Sequence, residues 1–195
     1  MHTSPALTAE VNGVTVSYRR TGHGGAPTMF LHGLMGDGAT WRPVTRLLEA
    51  DLDVITPDAR GHGRSSAPPS GYRYSDLAAD VKSLTHHLGL GRLLLVGHSM
   101  GGMTAALAAT EMGQRLRGLV LVDPTFLSDT RQQEVFDSDV VGQHRKALDR
   151  GRSVLLEDAL ARQAHRSSEV VELQVEARLR TSLAAFEVLR PPNLP

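Results

Sequence analysis

The sequence predicts an α/β fold in which helices cover both faces of a mostly parallel β-sheet. Two observations lead to this prediction. Segments that read as β-strands alternate along the chain with segments whose apolar residues recur at helical spacing. The strand segments at 93–96 and 119–122 are continuous runs of Leu and Val, as expected for strands that are buried on both faces.

The predicted elements of the first part of the chain come in the order of repeated strand, helix, strand units. Strands are predicted by β-branched or apolar runs at 14–18, 28–31, 52–56, 93–96 and 119–122. Helices are predicted at 41–48, at 75–88 with Ser75 as N-cap and Gly89 closing it, and at 103–112. Clusters of turn residues separate these elements at 21–27, 33–38 and 97–101.

The character of the sequence changes after Pro124. Between 128 and 189 no β-run stands out, and apolar residues recur at helical spacing with Arg and Glu between them. We therefore divide the chain into a core at 1–125, a helical insertion at 126–190 and a lead-in to a further element at 191–195. The lead-in contains three prolines and cannot continue a helix.

Composition and charge narrow the range of functions. The chain has 195 residues, of which 41% are hydrophobic without a long apolar run, so we predict a globular protein without membrane contact. Lys plus Arg and Asp plus Glu both number 21, and no basic stripe is interleaved with aromatic residues, so we expect no nucleic-acid partner. The first residues lack the pattern of a signal peptide, which predicts a cytoplasmic location. The absence of cysteine excludes disulfides, thiolate nucleophiles and cysteine-ligated metals, and no metal or cofactor site is predicted.

The sharpest motif is the G-x-S-x-G pattern at 97–101, which directly follows one predicted strand and precedes a helix. At such a turn the serine, Ser99, takes a strained backbone conformation that only small neighbours tolerate, and its hydroxyl is held clear of the sheet. The helix that follows contributes its positive dipole end and free N–H groups, which stabilise negative charge near Ser99. We interpret Ser99 as a nucleophile. The alternative is a glycine-rich turn with an incidental serine.

A second motif, His32-Gly33, ends the strand at 28–31 and opens a glycine-rich loop. The backbone N–H of Leu34 is predicted to face the same point as that of Met100, and the two together would form an oxyanion hole. The alternative is an ordinary connection between a strand and a helix. His32 itself is interpreted as a hydrogen-bonded structural residue, because an oxyanion hole uses the backbone and not the imidazole.

A third motif, D-x-R-G-H-G-x-S at 58–65, has glycines spaced for a tight loop and polar side chains that can tie the loop down. Together with H-G at 32–33 and G-H-S-M-G-G at 97–102, it resembles the α/β-hydrolase superfamily over about residues 10–125. All three motifs occur in the family's order and on the expected elements. The resemblance implies a sheet order of 1-2-4-3-5-6 with the second strand antiparallel, and a helical cap after Pro124.

The resemblance also implies roles for individual residues. Ser99 would be the nucleophile, and no cofactor would be needed. The backbone N–H groups that stabilise the oxyanion would be those of Leu34 and Met100. The residues that structure the loop near the entrance would be Asp58, Arg60 and His62. The residues that contact the substrate would be His32, Gly33, Trp41 and His98. A serine at position 99 distinguishes the chain from relatives that resemble haloalkane dehalogenases and epoxide hydrolases, which have an aspartate there.

The general base is the part of the pattern that the sequence lacks. A serine is a weak nucleophile unless a base lies within hydrogen-bond reach and a third group orients that base. The family takes both mostly from segments after the cap. Here the histidines after Ser99 are His144 and His165, both in the helical insertion, where we expect them to face solvent. Asp123, at the end of the strand at 119–122, is a candidate for the triad acid, and the alternative is an aspartate that caps the strand end.

The resemblance places the end of the sequence where the family's seventh strand would begin. It therefore implies that the last strands and the loop with the catalytic histidine are missing, either because the chain is short or because a second chain supplies them. The apolar run at 119–122 would then be an edge strand with no charge to prevent pairing. We expect a companion chain or a second copy of this chain to cover it.

Three functions follow from these observations. The first is hydrolysis of a small ester or related acyl substrate through an acyl-enzyme on Ser99. The second is a close variant, cofactor-free perhydrolysis or haloperoxidase-like chemistry on the same site. The third is a non-catalytic fragment or pseudo-enzyme that binds a small molecule. The absent histidine favours the third for the 195 residues alone, whereas the intact serine turn favours an enzyme for the parent protein.

Overall fold

The structure is a computed structural model that describes residues 5–22 and 24–192. Two of the interpretations above fall wholly or partly outside these residues. The absence of a leader pattern concerns mainly residues 1–4, and the predicted lead-in at 191–195 includes residues 193–195, which lie outside the described residues.

Six strands form one sheet, whose hydrogen-bonded order is β1-β2-β4-β3-β5-β6. The strands are β1 (Leu7–Val11), β2 (Val14–Thr21), β3 (Ala26–Leu31), β4 (Leu52–Pro57), β5 (Leu93–His98) and β6 (Leu116–Val122). β2 runs antiparallel to both β1 and β4, whereas β3 runs parallel to β4 and β5, and β5 runs parallel to β6. The predicted fold class and strand order are confirmed, including the antiparallel second strand.

The first strand, β1, was not predicted from the apolar runs of the sequence. It pairs with β2 across a two-residue turn formed by Asn12 and Gly13. Both turn residues have a positive φ, 49° and 74°, as the favoured two-residue hairpin turns require. An Asn-Gly pair between two alternating segments is the sequence signal for such a hairpin, so the signal was present in the chain.

Helices occupy most of the remaining chain. They are α1 (Arg42–Thr45), α2 (Tyr74–His87), α3 (Met100–Met112), α4 (Asp129–Asp137), α5 (Val140–Arg162) and α6 (Ser168–Leu179), with 3-10 turns at Gly38–Trp41, Gly113–Arg115 and Leu183–Leu189. The helix predicted at 41–48 is shorter than expected, because after Thr45 the chain continues in hydrogen-bonded turns towards β4. α2 begins earlier than the predicted N-cap Ser75. The Asp76 carboxylate accepts a hydrogen bond of 2.9 Å from the backbone N–H of Arg73 at its start.

The alternation of side chains along the central strands explains why both faces of the sheet are covered. On one face, Met29 and Ile55 belong to a buried cluster with residues of α2 and α3. On the other face, Phe30, Val54 and Val96 pack against partly buried residues that include Trp41. Strands with two buried faces need apolar residues at every position, which accounts for the continuous apolar runs in the sequence.

The segment at 126–190 has α4, α5, α6 and the last 3-10 turn as its regular elements. Salt bridges attach it to the part of the chain between β3 and β4. Glu169 of α6 pairs with Arg42 at 2.7 Å and with Arg46 at 3.0 Å, and Arg180 pairs with Asp37 at 2.7 Å. Among residues 5–22 and 24–192, no helix is both long enough and apolar enough to cross a membrane.

The strand β6 forms one edge of the sheet, since its described partner is β5 alone. Its apolar side chains are unusually exposed for a strand of this composition. Leu119 is 38% exposed, Val120 44% and Val122 41%. This edge of the sheet therefore presents an apolar surface.

A buried ion pair joins α2 to the loop at 58–65. The Arg60 guanidinium contacts both carboxylate oxygens of Asp80, at 2.5 and 2.7 Å, and donates a further hydrogen bond of 2.6 Å to the carbonyl of Gly71. Asn12 donates to the same carboxylate at 2.8 Å, which ties the β1–β2 hairpin to the pair. Both charged side chains are less than 10% exposed, 6% for Arg60 and 9% for Asp80.

We predict that Asp80→Ala lowers the free energy of unfolding by about 3 to 5 kcal/mol, because it leaves the Arg60 charge buried without its partner. Urea unfolding monitored by circular dichroism measures the effect. Glu111→Ala is the matched control, since it removes an exposed ion pair with Lys82 and should cost at most about 1 kcal/mol. Equal destabilisation by the two substitutions would contradict the prediction.

Candidate active site

Ser99 lies at the turn between β5 and α3, with φ of 52° and ψ of −119°. The turn is held by a hydrogen bond of 3.0 Å from the Ser99 N–H to the carbonyl of Val122 on β6. A positive φ is strained for a residue with a side chain, and such strain persists only where the surrounding structure enforces it. The predicted turn and its unusual backbone geometry are therefore confirmed.

Two glycines allow this turn because the backbone leaves no room for a side chain at their positions. A Cβ on Gly97 would lie 2.2 Å from the carbonyl oxygen of Gly101, and a Cβ on Gly101 would lie 2.4 Å from that of Leu31 on β3. α3 is thereby pressed against the end of β3. Its N-terminus, which carries a positive partial charge, is directed to the end of the sheet at which Ser99 sits.

The loop after β3 lies directly against Ser99. A Cβ on Gly33 would lie 3.2 Å from the Ser99 Cβ and 3.1 Å from the Nδ1 of His98. Within the described residues, the backbone N–H groups of Leu34 and Met100 donate to no protein acceptor. Free N–H groups on both sides of a serine are what an oxyanion hole requires, so the geometry is compatible with the role predicted for these two residues.

His32 uses both of its ring nitrogens within the protein. Its Nδ1 lies 2.9 Å from the carbonyl oxygen of Gly33, and its Nε2 accepts a hydrogen bond of 2.9 Å from the backbone N–H of Ala59. The side chain is buried, with 3% exposure. The contacts support the interpretation of His32 as a structural residue that joins the loop after β3 to the loop after β4.

The loop at 58–65 is tied down by the side chains that the sequence singled out. The Asp58 carboxylate accepts hydrogen bonds from the N–H of Gly38 at 2.8 Å and from that of Arg64 at 2.9 Å. His62 is fully buried, and its Nδ1 lies 2.9 Å from the carbonyl oxygen of Arg60. Burial, together with the neighbouring His32, lowers the pKa of His62 to about 3, so its imidazole is neutral in the folded protein.

A cavity of about 550 Å³ opens beside this turn, between the loop after β3 and the helices α5 and α6. The residues predicted to contact a substrate all line this cavity: His32, Gly33, Trp41 and His98. Leu34 lines it as well. Ser99 is half-buried next to Gly33 and His98. The wall contributed by the helical segment includes residues for which the sequence offered no motif, among them Arg162, Gln174 and Arg178.

The described residues do not include a general base in contact with Ser99. Within residues 5–22 and 24–192, the Ser99 hydroxyl has no hydrogen-bond partner, from a histidine, a carboxylate or any other group. Asp123 follows β6 one residue beyond the pairing of Val122 with His98, which places it near the Ser99 turn. It is exposed, and it forms no ion pair with any other described residue. His165 is exposed between α5 and α6.

The expectation that His144 faces solvent is wrong. Its side chain is fully buried, its ring lies 4.8 Å from that of Phe186, and its Nε2 lies 3.1 Å from the carbonyl oxygen of Thr181. Burial lowers the pKa of His144. His144 and Ala147 are three residues apart on α5 and both are buried. The contacts of His144 are with residues far along the chain, so no local sequence signal indicated a core position.

Comparison with known proteins places these features in context. The chain matches the family model described as the alpha/beta hydrolase fold over residues 27–191. It is 32% identical to 2-(acetamidomethylene)succinate hydrolase of Mesorhizobium japonicum over 67% of this chain and 47% of that protein. It is 39% identical to a putative non-heme chloroperoxidase of a Synechocystis species over 58% of this chain and 45% of that protein. The chain thus spans less than half the length of these two curated relatives.

A solved structure gives the same result for the fold. The crystal structure of E-2-(acetamidomethylene)succinate hydrolase superposes with a TM-score of 0.79 at 23% identity, covering 96% of this chain and 72% of that one. At this level of identity the likeness concerns the fold.

We predict that acid destabilises the protein through His62. Its pKa is about 3 in the folded state and about 6.5 when unfolded, so the unfolded state binds more protons at pH values between these two. The stability contributed by the neutral ring is therefore present above pH 6.5 and is lost as the pH falls, by about 2 kcal/mol between pH 7 and pH 5. Urea unfolding at several pH values measures the slope.

The matched pair of variants is His62→Gln and His165→Gln. The first should flatten the dependence of unfolding free energy on pH by about one proton. The second makes the same substitution at an exposed histidine and is the control. An unchanged slope in His62→Gln would contradict the prediction, because it would show that folding does not lower the pKa of His62.

Proposed function

The chain belongs to the α/β-hydrolase fold family, and we propose that it carries the nucleophile site of a serine hydrolase acting on an ester or related acyl substrate. The observation that carries the proposal is the strained Ser99 turn, where a hydroxyl, two free backbone N–H groups and a helix N-terminus lie next to a cavity. The relatives named as hydrolases support the reaction class.

The proposed reaction begins with attack of the Ser99 Oγ on the carbonyl carbon of the substrate. The carbonyl oxygen becomes an oxyanion that accepts hydrogen bonds from the N–H groups of Leu34 and Met100. The leaving group departs with a proton, and the acyl group stays on Ser99. Attack of water on the acyl-enzyme then releases the acid and restores the hydroxyl.

The described residues supply no base to take the proton from Ser99. Asp123 is our proposed triad acid, but an acid acts by orienting a base, and here it has no base to orient. Acylation of this chain alone therefore depends on an activated substrate with a good leaving group. We propose that turnover is slow and that the acyl-enzyme accumulates.

A second candidate reaction differs in the final step. Hydrogen peroxide would attack the acyl-enzyme in place of water and release a peracid. The relative named as a putative non-heme chloroperoxidase favours keeping this variant. The third candidate is a binding protein without catalysis, and the absence of a base among the described residues favours it.

We further propose that a second polypeptide pairs with the exposed edge of β6. An edge strand with free backbone groups and apolar side chains is a template for strand addition, and proteins usually cover, charge or twist such an edge. No charged side chain lies between Gly118 and Val122 to hinder pairing. In a solution of the purified chain, the partner at hand is another copy of the same chain.

We predict that p-nitrophenyl acetate acetylates Ser99 and is turned over about three to six orders of magnitude more slowly than by a hydrolase with a complete triad. Mass spectrometry of peptides locates the acetyl group, and the release of p-nitrophenol gives the rates. A burst of product equal to the amount of protein, followed by a slow phase, is the expected time course.

Two serine variants serve as a matched pair in this experiment. Ser99→Ala should abolish both the burst and the adduct, whereas Ser70→Ala should change neither, because Ser70 is exposed and far from the motif in sequence. Acceleration by hydrogen peroxide would favour perhydrolysis. No adduct on Ser99 would leave the binding protein as the better account, and rapid turnover that requires Ser99 would show that a base is present.

We predict that the purified chain self-associates in a concentration-dependent manner. Size-exclusion chromatography with light scattering measures the mass. Val120→Lys should shift the population to monomer, because a charge on an edge strand opposes pairing. Val154→Lys is the control, since Val154 is a similarly exposed apolar residue, 40% against 44%, on α5. A stable monomer of the unaltered chain at all concentrations would refute the proposal for β6.

A further inference from the structure

The cavity beside Ser99 carries charge of one sign. Two of its lining residues are arginines, Arg162 at the end of α5 and Arg178 in α6. In the described part of the chain, no aspartate or glutamate lines the cavity. Much of the remaining wall is apolar, with Trp41 and Val175 among its members, so the guanidinium groups are its fixed charges.

Arg178 has no counter-charge within residues 5–22 and 24–192. It forms no ion pair there, and its Nε is buried without a hydrogen-bond partner. The neighbouring Arg180 differs, because it pairs with Asp37. Burial and the positive charge of Arg162 lower the pKa of Arg178. A buried N–H donor without an acceptor is unfavourable for stability, as expected of a group that binds a ligand.

Arg162 lies at the more open side of the same wall. Its side chain is 72% exposed, and its Nη2 lies 3.2 Å from a carboxylate oxygen of Asp158. Arg150 contacts the same carboxylate oxygen at 2.6 Å, so Asp158 is shared between two cations. Because Arg150 and Arg162 share one carboxylate, the net charge of these three side chains is positive.

We propose that Arg178, assisted by Arg162, forms an anion subsite in the cavity, and that the substrate carries a carboxylate or similar anionic group apart from its reactive carbonyl. The inference rests on the proposed function in that the bound molecule is taken as the substrate of Ser99. Guanidinium groups bind carboxylates through paired, charge-assisted hydrogen bonds. The uncharged side chains of Gln163 and Gln174 line the same wall and can hydrogen-bond the rest of the molecule.

The geometry of the cavity divides such a substrate into two ends. The loop with Gly33 and Leu34 forms one wall, next to Ser99, and α5 and α6 form another. An anionic group held on the helices would leave the acyl end free to reach the serine turn. The subsite would therefore select short acyl compounds with a second, charged end over neutral esters of the same size.

Binding of two isosteric amides to the Ser99→Ala variant tests the proposal. Succinamate carries one carboxylate, and succinamide replaces it with a neutral amide. The fluorescence of Trp41 reports binding, because it is the single tryptophan of the chain and lines the cavity. Succinamate should bind at least about tenfold more tightly, the effect of one charge-assisted hydrogen-bonded pair. Arg178→Met should remove this preference, and Arg178→Lys should retain part of it.

The matched control is Arg166→Met. Arg166 is an exposed arginine between α5 and α6 that does not line the cavity, and its replacement should leave the preference unchanged. Arg178→Met should also leave the thermal unfolding midpoint unchanged or raised, since it removes no hydrogen bond or ion pair within the described chain. A fall in the midpoint would indicate a structural role instead.

Several outcomes would overturn the subsite. They are equal affinity for the two amides, no saturable binding of succinamate, a preference that survives Arg178→Met, or an equal loss of both ligands in that variant. The test is independent of acyl transfer because it uses a protein without the Ser99 hydroxyl. A failure to acetylate Ser99 with the anion preference intact would reject the hydrolase proposal alone, and the reverse pattern would reject the subsite alone.

Discussion

At the turn between β5 and α3 the backbone approaches itself and the end of β3 so closely that glycine is required at two positions, Gly97 and Gly101. This approach fixes the start of α3 against the sheet and holds Ser99 at a positive φ. Because β3 and β5 are neighbours, the same approach also sets the loop after β3 against the serine. The approach of the loop with Gly33 and Leu34 to Ser99, beside the cavity, follows from this contact.

Two kinds of attachment surround the site, and they differ in strength. The loops after β3 and β4 are held by buried groups, His32, Asp58 and the pair of Arg60 with Asp80. The helical segment is attached through partly exposed ion pairs, such as those of Glu169, and through Val188, which is buried in a cluster with Met100. Exposed pairs contribute about 0 to 1 kcal/mol each, whereas breaking a buried pair costs several times more. The ion pairs of Glu169 are therefore weaker than the buried pair that holds the loop after β4.

The features that the sequence predicted are those with a local cause. The Leu and Val runs reflect strands buried on both faces, and the glycine motifs reflect close backbone contacts. Both could therefore be predicted from the sequence alone. The strand β1 was missed because three of its five residues are exposed and its only clear signal was the Asn-Gly turn. The burial of His144 depends on its contacts with Thr181 and Phe186, which follow α6. Contacts between residues that are far apart in the sequence leave no sequence motif. The chemical roles of Ser99, Leu34, Met100 and Asp123 remain predictions.

A kink divides α5 into two parts. Gly151, with φ of 75° and ψ of 167°, interrupts the helix between them. The part before it carries His144 and Ala147, which anchor the segment, and the part after it carries Ala159 and Arg162, which face the cavity. Because the two parts do not share one helical register, a substitution on the cavity wall in the second part need not displace the residues that hold the first part in place.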